Sequence, residues 1–413
     1  MSKSFIQSVA SVLTGTFVAQ VIPVIGTLVL ARIFKPSSFG IYSTWLGFVL
    51  FLSVVMSGRL EMALAVEADG QPRRRAVVAT IKTIVITSLV AFLVLGVCTL
   101  MKLVFLDQFS FGLLAILIPT AAMVAGTGTL QNWAAADGRY QHLSIMRIMQ
   151  ASSIAILQII FGLLADDSFE LACGYFTGTL VGLLAGCLLS PLKSESSTIE
   201  RETLNKFWYR QRSFVLYSLP ASAISSATAQ LPVVLVAARF GSEPAGLLAM
   251  AMRVVGAPMT LLSASVLDVF KRQSAQAYHE RRECRAEFLQ SLGLLLIVAV
   301  CATAAVFVGA KPLFSEMFEK SWAGAGVIAL LLLPRFGLGF IASPLSYMVY
   351  IVGKQRLDLI WQLALLGVTL MTLLLIASLN IALLCYSVGY GVLYVVYLWM
   401  SYQFSCGGAK IKR

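Results

Sequence analysis

The sequence predicts an all-α polytopic membrane protein of about twelve transmembrane helices, arranged as two six-helix bundles. Three observations carry this. The 413 residues are 59% hydrophobic and only 12% charged, whereas soluble domains carry about a quarter charged residues. Apolar runs long enough to cross a hydrocarbon core of about 30 Å recur along the chain. One long polar stretch, PLKSESSTIERETLNKFWYRQRS at 191–213, interrupts them near the middle.

The first six runs fall at about 9–33, 40–63, 76–101, 109–134, 144–165 and 170–190. The first follows a single charge, Lys3, and is too long for a signal-peptide core, so it is expected to be retained. After the polar stretch, six more fall at about 215–238, 245–268, 288–309, 323–352, 357–377 and 380–404. The expected organisation is a bundle over 1–190, a cytoplasmic linker over 191–213 and a bundle over 214–413. Alternating charges make the linker either a solvated tether or a short amphipathic surface helix.

Lys and Arg set the orientation. With the N-terminus cytoplasmic, twenty of the 31 cations fall on cytoplasmic segments, among them Arg73, Arg74 and Arg75; five fall on the opposite face. Both termini are therefore expected inside. The net charge of +12 is then mainly a topology signal and does not point to nucleic acid. Six cations remain in or at the ends of spans: Arg32, Arg59, Lys82, Arg147, Arg253 and Arg335. With a helix starting near Ala323, Arg335 lies roughly 18 Å along it at 1.5 Å per residue, near the midplane. A charge there costs about 2.5 kcal/mol or more.

Residues 19–40, AQVIPVIGTLVLARIFKPSSFG, resemble 229–246, AQLPVVLVAARFGSEPAG. Six spans separate them, so they read as parallel repeats about an axis along the membrane normal; chance likeness of two apolar helix ends is the alternative. Prolines interrupt several spans. Pro334 and Pro344, bracketing Arg335 and Gly337, are the expected hinges. Trp45, Trp322, Trp361 and Trp399 read as interface belts.

Enzyme chemistry finds little support. The seven cysteines are scattered and the two histidines, His142 and His279, sit in polar connectors, so neither a metal site nor a cofactor is expected. No GxxxxGKS-type loop is present.

Several segments resemble the Wzx-type polysaccharide-repeat flippases, within the MATE-like multidrug/oligosaccharidyl-lipid/polysaccharide exporter superfamily. They are ARIFKPSSFGIYS (31–43), SGRLEMALAV (57–66), LQNWAAADGRYQHLSIMRIMQ (130–150), YSLPASAISSATAQLPVVLVAARFGSEPAGLLAMAMRVVGAP (217–258) and LLLPRFGLGFIASPLSYMVYIVGKQ (331–355). The likeness covers nearly the whole chain; the last two helices are generic, and DGRY at 137–140 is less basic than in relatives. The resemblance implies a V-shaped, MATE-like pair of bundles that carries an undecaprenyl-diphosphate-linked oligosaccharide outward by alternating access, for O-antigen or other surface polysaccharide. It also implies a bacterial inner membrane, a monomer, and a polymerase with chain-length machinery as partners.

Such a cargo suits arginine, whose fork matches phosphate oxygens and stays charged. The diphosphate or anionic-sugar candidates are Arg335, Arg253, Arg147, Arg59, Lys82 and Arg32. Each has a plainer reading: interfacial anchoring or snorkelling for the peripheral ones, and a buried ion pair for Arg335. Arg59 and Glu61, two apart, would not share a helix face. Glu61 and Asp268 are the carboxylates available for ion coupling; membrane potential and removal of product would otherwise drive transport. Sugar contact falls to Gln20, Asn132, Trp133 and Gln230, with Gln131, Gln150 and Gln158 sharing the same ambiguity with interhelical glue. Two alternatives stay open: an exporter of small amphipathic cations, and a membrane glycosyltransferase or polymerase.

Overall fold

The structure is a computed structural model that describes residues 19–101, 107–190, 202–312, 314, 316 and 318–407. Its contacts divide the chain into two compact units, Met1–Gln230 and Leu231–Arg413. Nine helices are long and apolar enough to cross a membrane, and a bent pair makes a tenth, among the described residues. The expected twelve are therefore not all recovered as spans. Of the other two, one falls on α1 (Ala19–Ile33), which is short, and the residues before it lie outside the described ones. The other falls on α9 (Ser242–Arg281), 40 residues long, whose side chains at 260, 261, 264, 265 and 268 lie outside the described residues.

Unit 1 contains α1, α2 (Pro36–Ser57), a 3-10 turn (Leu60–Ala65), α3 (Gln71–Leu100), α4 (Phe111–Ala136), α5 (Tyr140–Gly162), α6 (Ser168–Leu189), α7 (Glu202–Arg210) and the start of α8 (Leu219–Phe240). Its closest helix pair is α5 against α6. Gly174, Gly178, Gly182 and Gly186 recur every fourth residue along one edge of α6. A Cβ on Gly174 would lie 2.5 Å from the Gln158 Cα, and one on Gly178 2.5 Å from the Ile154 Cα. The backbones therefore meet directly, the close approach that small residues permit where hydrophobic burial gives helices little reason to associate. The Ser153 hydroxyl donates to the Gly178 carbonyl at 2.9 Å across the seam. Gln158, buried, donates to the Tyr42 hydroxyl and the Leu171 carbonyl, and Gln131 to Gln150. These amides act as interhelical glue.

Trp45 and Trp322 are fully buried rather than interfacial. The Trp45 indole donates to the Leu113 carbonyl, joining α2 to α4. Trp399 alone of the four is broadly exposed, at 62%.

At one end of unit 1, Arg73 is buried while its neighbours Arg74 and Arg75 are exposed. Its guanidinium donates to the carbonyls of Leu64, Glu67 and Ala136 and pairs with Asp69 and Asp137. Five acceptors from the turn, the segment leading into α3 and the end of α4 thus converge on one cation. Beside it, α7 packs Phe207 into the core, and Trp208 donates to Thr83 at 2.9 Å. Arg210 and Gln211 both reach the buried Glu67 carboxylate at 2.6 Å. The described part of the expected linker is therefore an amphipathic helix fastened to unit 1, and residues 191–201 lie outside the described ones. With α7 held there, contacts divide the chain inside α8 rather than at 191–213.

Unit 2 contains the rest of α8, α9, α10 (Arg285–Pro312), α11 (Ala323–Leu331), α12 (Leu333–Leu345), α13 (Met348–Ile351), α14 (Gln355–Leu375) and α15 (Leu379–Ser405). The span expected over 323–352 is broken: Lys320–Leu331 and Leu333–Ile351 meet at 55°. Pro334 supplies the reason, having no N–H to give and a ring that clashes with the preceding turn. Both repeat-like segments, 19–40 and 229–246, fold as a helix end, a tight turn and a new helix, at Phe34–Lys35 and at Gly241.

Gly178→Leu is expected to force α5 and α6 apart and to destabilise the protein by about 1–3 kcal/mol or more, read as a lowered melting temperature in detergent. Arg73→Ala would leave three carbonyls without their donor and Asp137 with Arg139 alone, costing roughly 3 kcal/mol. Arg74→Ala and Arg75→Ala should leave melting unchanged. Equal effects at all three positions would remove the hub.

Candidate functional site

The break in the α11–α12 span places Arg335 at the third position of a new helix. Leu332 caps that helix, and the Phe336 N–H returns to its carbonyl at 3.0 Å. The first-turn donors have no partner in their own helix. Pro334 lacks one; the Arg335 N–H is satisfied by the Ser387 hydroxyl of α15 at 3.1 Å. A side chain from the neighbouring helix thus closes a backbone vacancy that hydrocarbon would penalise.

The Arg335 side chain is held by aromatic faces. Its guanidinium carbon lies 5.5 Å from the ring centres of Phe336 and Tyr386 and 5.3 Å from that of Tyr390. Such contacts contribute about 0.5–2 kcal/mol each when desolvated. Among the described residues no carboxylate pairs with Arg335, and its buried Nε has no hydrogen-bond partner. The buried Tyr386 hydroxyl is also unpartnered, whereas Tyr390 shares a 2.8 Å hydrogen bond with Thr369 of α14. The sequence reading took the last two helices as generic. Yet Tyr386, Tyr390, Tyr394 and Tyr397 recur at helical spacing along α15, a periodicity that could have flagged them.

Arg335 and Arg253 line one cavity of about 530 Å³ within unit 2. Its wall comprises Arg253, Gly256 and Ser263 of α9, Arg335, Phe336, Gly339 and Ser343 of α12, and Tyr394 of α15, among others. Arg253 is half-buried and, among the described residues, has neither an ion pair nor a hydrogen bond. No acid is among the lining residues. Gly339 makes room for Tyr394: a Cβ there would stand 3.1 Å from the ring. The chamber thus combines two cations free of carboxylates with an aromatic face and small polar groups.

The remaining candidates lie elsewhere. Arg59 pairs with Glu61 at 3.1 Å. Two apart, they would not share an α-helix face; they meet because Arg59 is left-handed, with φ of 59°, and leads a 3-10 turn rather than an α-helix. Glu61 is buried, its second carboxylate oxygen unpartnered. Lys82 is exposed on α3, Arg32 is exposed near the end of α1, and Arg147 is half-buried on α5. Asp268 belongs to α9, its side chain outside the described residues. Trp133 is packed into the unit 1 core with Arg139 over its ring at 4.6 Å, leaving no open face for a sugar. Asn132 is exposed but donates to the Gly128 carbonyl of its own helix. Gln20 is exposed and Gln230 half-buried. Pro334 sits at the 55° bend; Pro344 lies one residue before the end of α12. The bend thus falls at Pro334.

Solved structures share this architecture. The chain is similar to the lipid II flippase MurJ in an inward closed conformation, with a TM-score of 0.72 at 12% identity, covering 94% of this chain and 86% of that one. It is also similar to an inward-facing multidrug resistance MATE family transporter of the MOP superfamily, with a TM-score of 0.65 at 13% identity, over 95% and 96%. A third likeness is to a MOP superfamily transporter from Pyrococcus furiosus described as having a binding pocket of reversed polarity, with a TM-score of 0.56 at 13% identity, over 95% and 93%. These likenesses establish the fold, that of a multi-pass membrane protein. No curated protein matches by sequence. A family model does: residues 29–326, well over half the sequence and ending just short of the break that carries Arg335, match it, and the chain belongs to the family of polysaccharide biosynthesis proteins.

Proposed function

We propose that this protein is a flippase that moves an undecaprenyl-diphosphate-linked oligosaccharide unit from the cytoplasmic to the periplasmic leaflet of a bacterial inner membrane. It works by alternating access, without catalysis, in O-antigen or related surface polysaccharide synthesis. The observation that carries this reading is the shared chamber of Arg253 and Arg335, two guanidinium groups without a carboxylate partner among the described residues. An uncompensated buried cation is costly, and an anionic headgroup is the ligand that offsets the cost. Tyr394 and Ser343 on the same wall suit the first sugar. The Lys and Arg asymmetry supports cytoplasmic termini.

The MATE likeness favours a second reading, export of an amphipathic cation. A cation would seek acids, and none lines this chamber.

Arg335→Ala and Arg253→Ala are each expected to lower flipping of lipid-linked units into inverted vesicles by about 10–100-fold, the loss of one charge-assisted hydrogen bond set. Units should accumulate in the inner leaflet in cells. Arg335→Lys, which keeps the charge but not the fork, should fall between. Normal export by both alanine variants, together with cation transport by the purified protein, would install the second reading.

A further inference from the structure

α12 presents two chemistries from one helix. Arg335, Phe336, Gly339, Phe340 and Ser343 face the arginine chamber. Leu333, Pro334, Gly337, Leu338 and Ile341 face away from it, lining a hollow of about 660 Å³ against α10 from Leu296 to Phe307. Eleven residue steps at 1.5 Å each make that wall about 16 Å long. Pro334 and Leu338 also line a second hollow, of about 320 Å³, against Val388, Gly391 and Val392 of α15. The two hollows share these residues and so form one trough around the outer edge of α12. Apart from Thr303, every residue lining it is apolar. Pro334 contributes no N–H, and Gly337 and Gly391 keep the floor low.

We infer that this trough seats the polyprenyl tail of the cargo, an inference that rests on the flippase reading. The argument is one of covalent continuity. In a polyprenyl diphosphate the phosphate is bonded directly to the first isoprene, so the sites for charge and tail must adjoin. Here Arg335 and Pro334 are consecutive residues lining the chamber and the trough respectively. Ordinary acyl chains meet any apolar face, but the stretch beside the cations gives a polyprenyl chain tethered at its diphosphate a high effective concentration there. The same adjacency makes tail length a determinant of affinity.

The test measures binding of inorganic pyrophosphate, farnesyl diphosphate and undecaprenyl diphosphate to the purified full chain. The wild type should prefer the undecaprenyl over the farnesyl compound by at least about tenfold, a gain that burial of a few extra methylenes supplies. Val300→Trp and Val392→Trp fill the trough from its lips; both positions are more than half exposed, at 65% and 58%, so the fold should tolerate them. Together they should reduce the preference below about threefold while pyrophosphate binding persists. Leu89→Trp, exposed on α3, should preserve it. Retention of the full preference by the double variant, or no preference in the wild type, overturns the tail site and leaves the flippase reading standing. Failure of the wild type to bind any diphosphate overturns both.

Discussion

The charge on Arg335 is the constraint around which unit 2 is built. It sits in the first turn of α12, where the aligned peptide dipoles already leave positive potential. A cation there is unfavourable by about 0.3–1 kcal/mol even before desolvation. The protein does not relieve this with a carboxylate among the described residues; it surrounds the guanidinium with the faces of Phe336, Tyr386 and Tyr390. Ring quadrupoles lower the cost of the charge without neutralising it. An acid would have neutralised the site and closed it to anions. The aromatic solution keeps a net positive charge facing a cavity, with Arg253 on the same wall. The proposed headgroup would complete an arrangement that is otherwise electrostatically open.

Unit 1 is held by opposite means. The glycine edge of α6 lets backbones touch α5, and Arg73 is saturated by five acceptors. Its polar groups are mostly satisfied internally, so they stabilise a rigid body and offer little to a ligand. Arg59 and Glu61 each retain a buried polar atom without a hydrogen-bond partner beside a left-handed backbone, as do Trp133, Arg139 and Glu170 elsewhere in the unit.

Much of the fold was legible because hydrocarbon imposes simple rules: long apolar runs, Lys and Arg between them, proline at breaks. Arg335 stood out for the same reason, as a charge where charge is expensive. What was not legible depended on which helices meet. Gln158 and Trp133 read as equally available for sugars, and only packing shows that one ties three helices and the other fills a core. The arginine triplet at 73–75 read as a uniform topology signal, yet one residue of the three is buried. The tyrosines of α15 carried helical spacing, but spacing alone cannot say that the stripe faces an arginine 51 positions earlier. Ten of the twelve expected spans stand among the described residues; α9 has the length of a span and carries Arg253 into the chamber, and its side chains at 260, 261, 264, 265 and 268 lie outside the described residues.

The register of α12 then links the two halves of the cargo problem. At 3.6 residues per turn, consecutive side chains diverge by about 100°, so Pro334 and Arg335 open onto different surroundings across one peptide bond. Positions 334, 337, 338 and 341 follow one stripe; 335, 336, 339, 340 and 343 follow the other. Such a split needs a thin wall with little side-chain bulk at the crossing, which Pro334, Gly337 and Gly339 provide. It also needs a helix whose start is fixed, because a slip of one residue would turn the arginine into the trough. The Ser387 hydroxyl on the Arg335 N–H and the return from Phe336 to Leu332 fix that start. A polar cap of about 1 kcal/mol thereby holds the boundary between charged and apolar faces, and the broken span becomes the means by which one helix addresses an amphiphile at its junction.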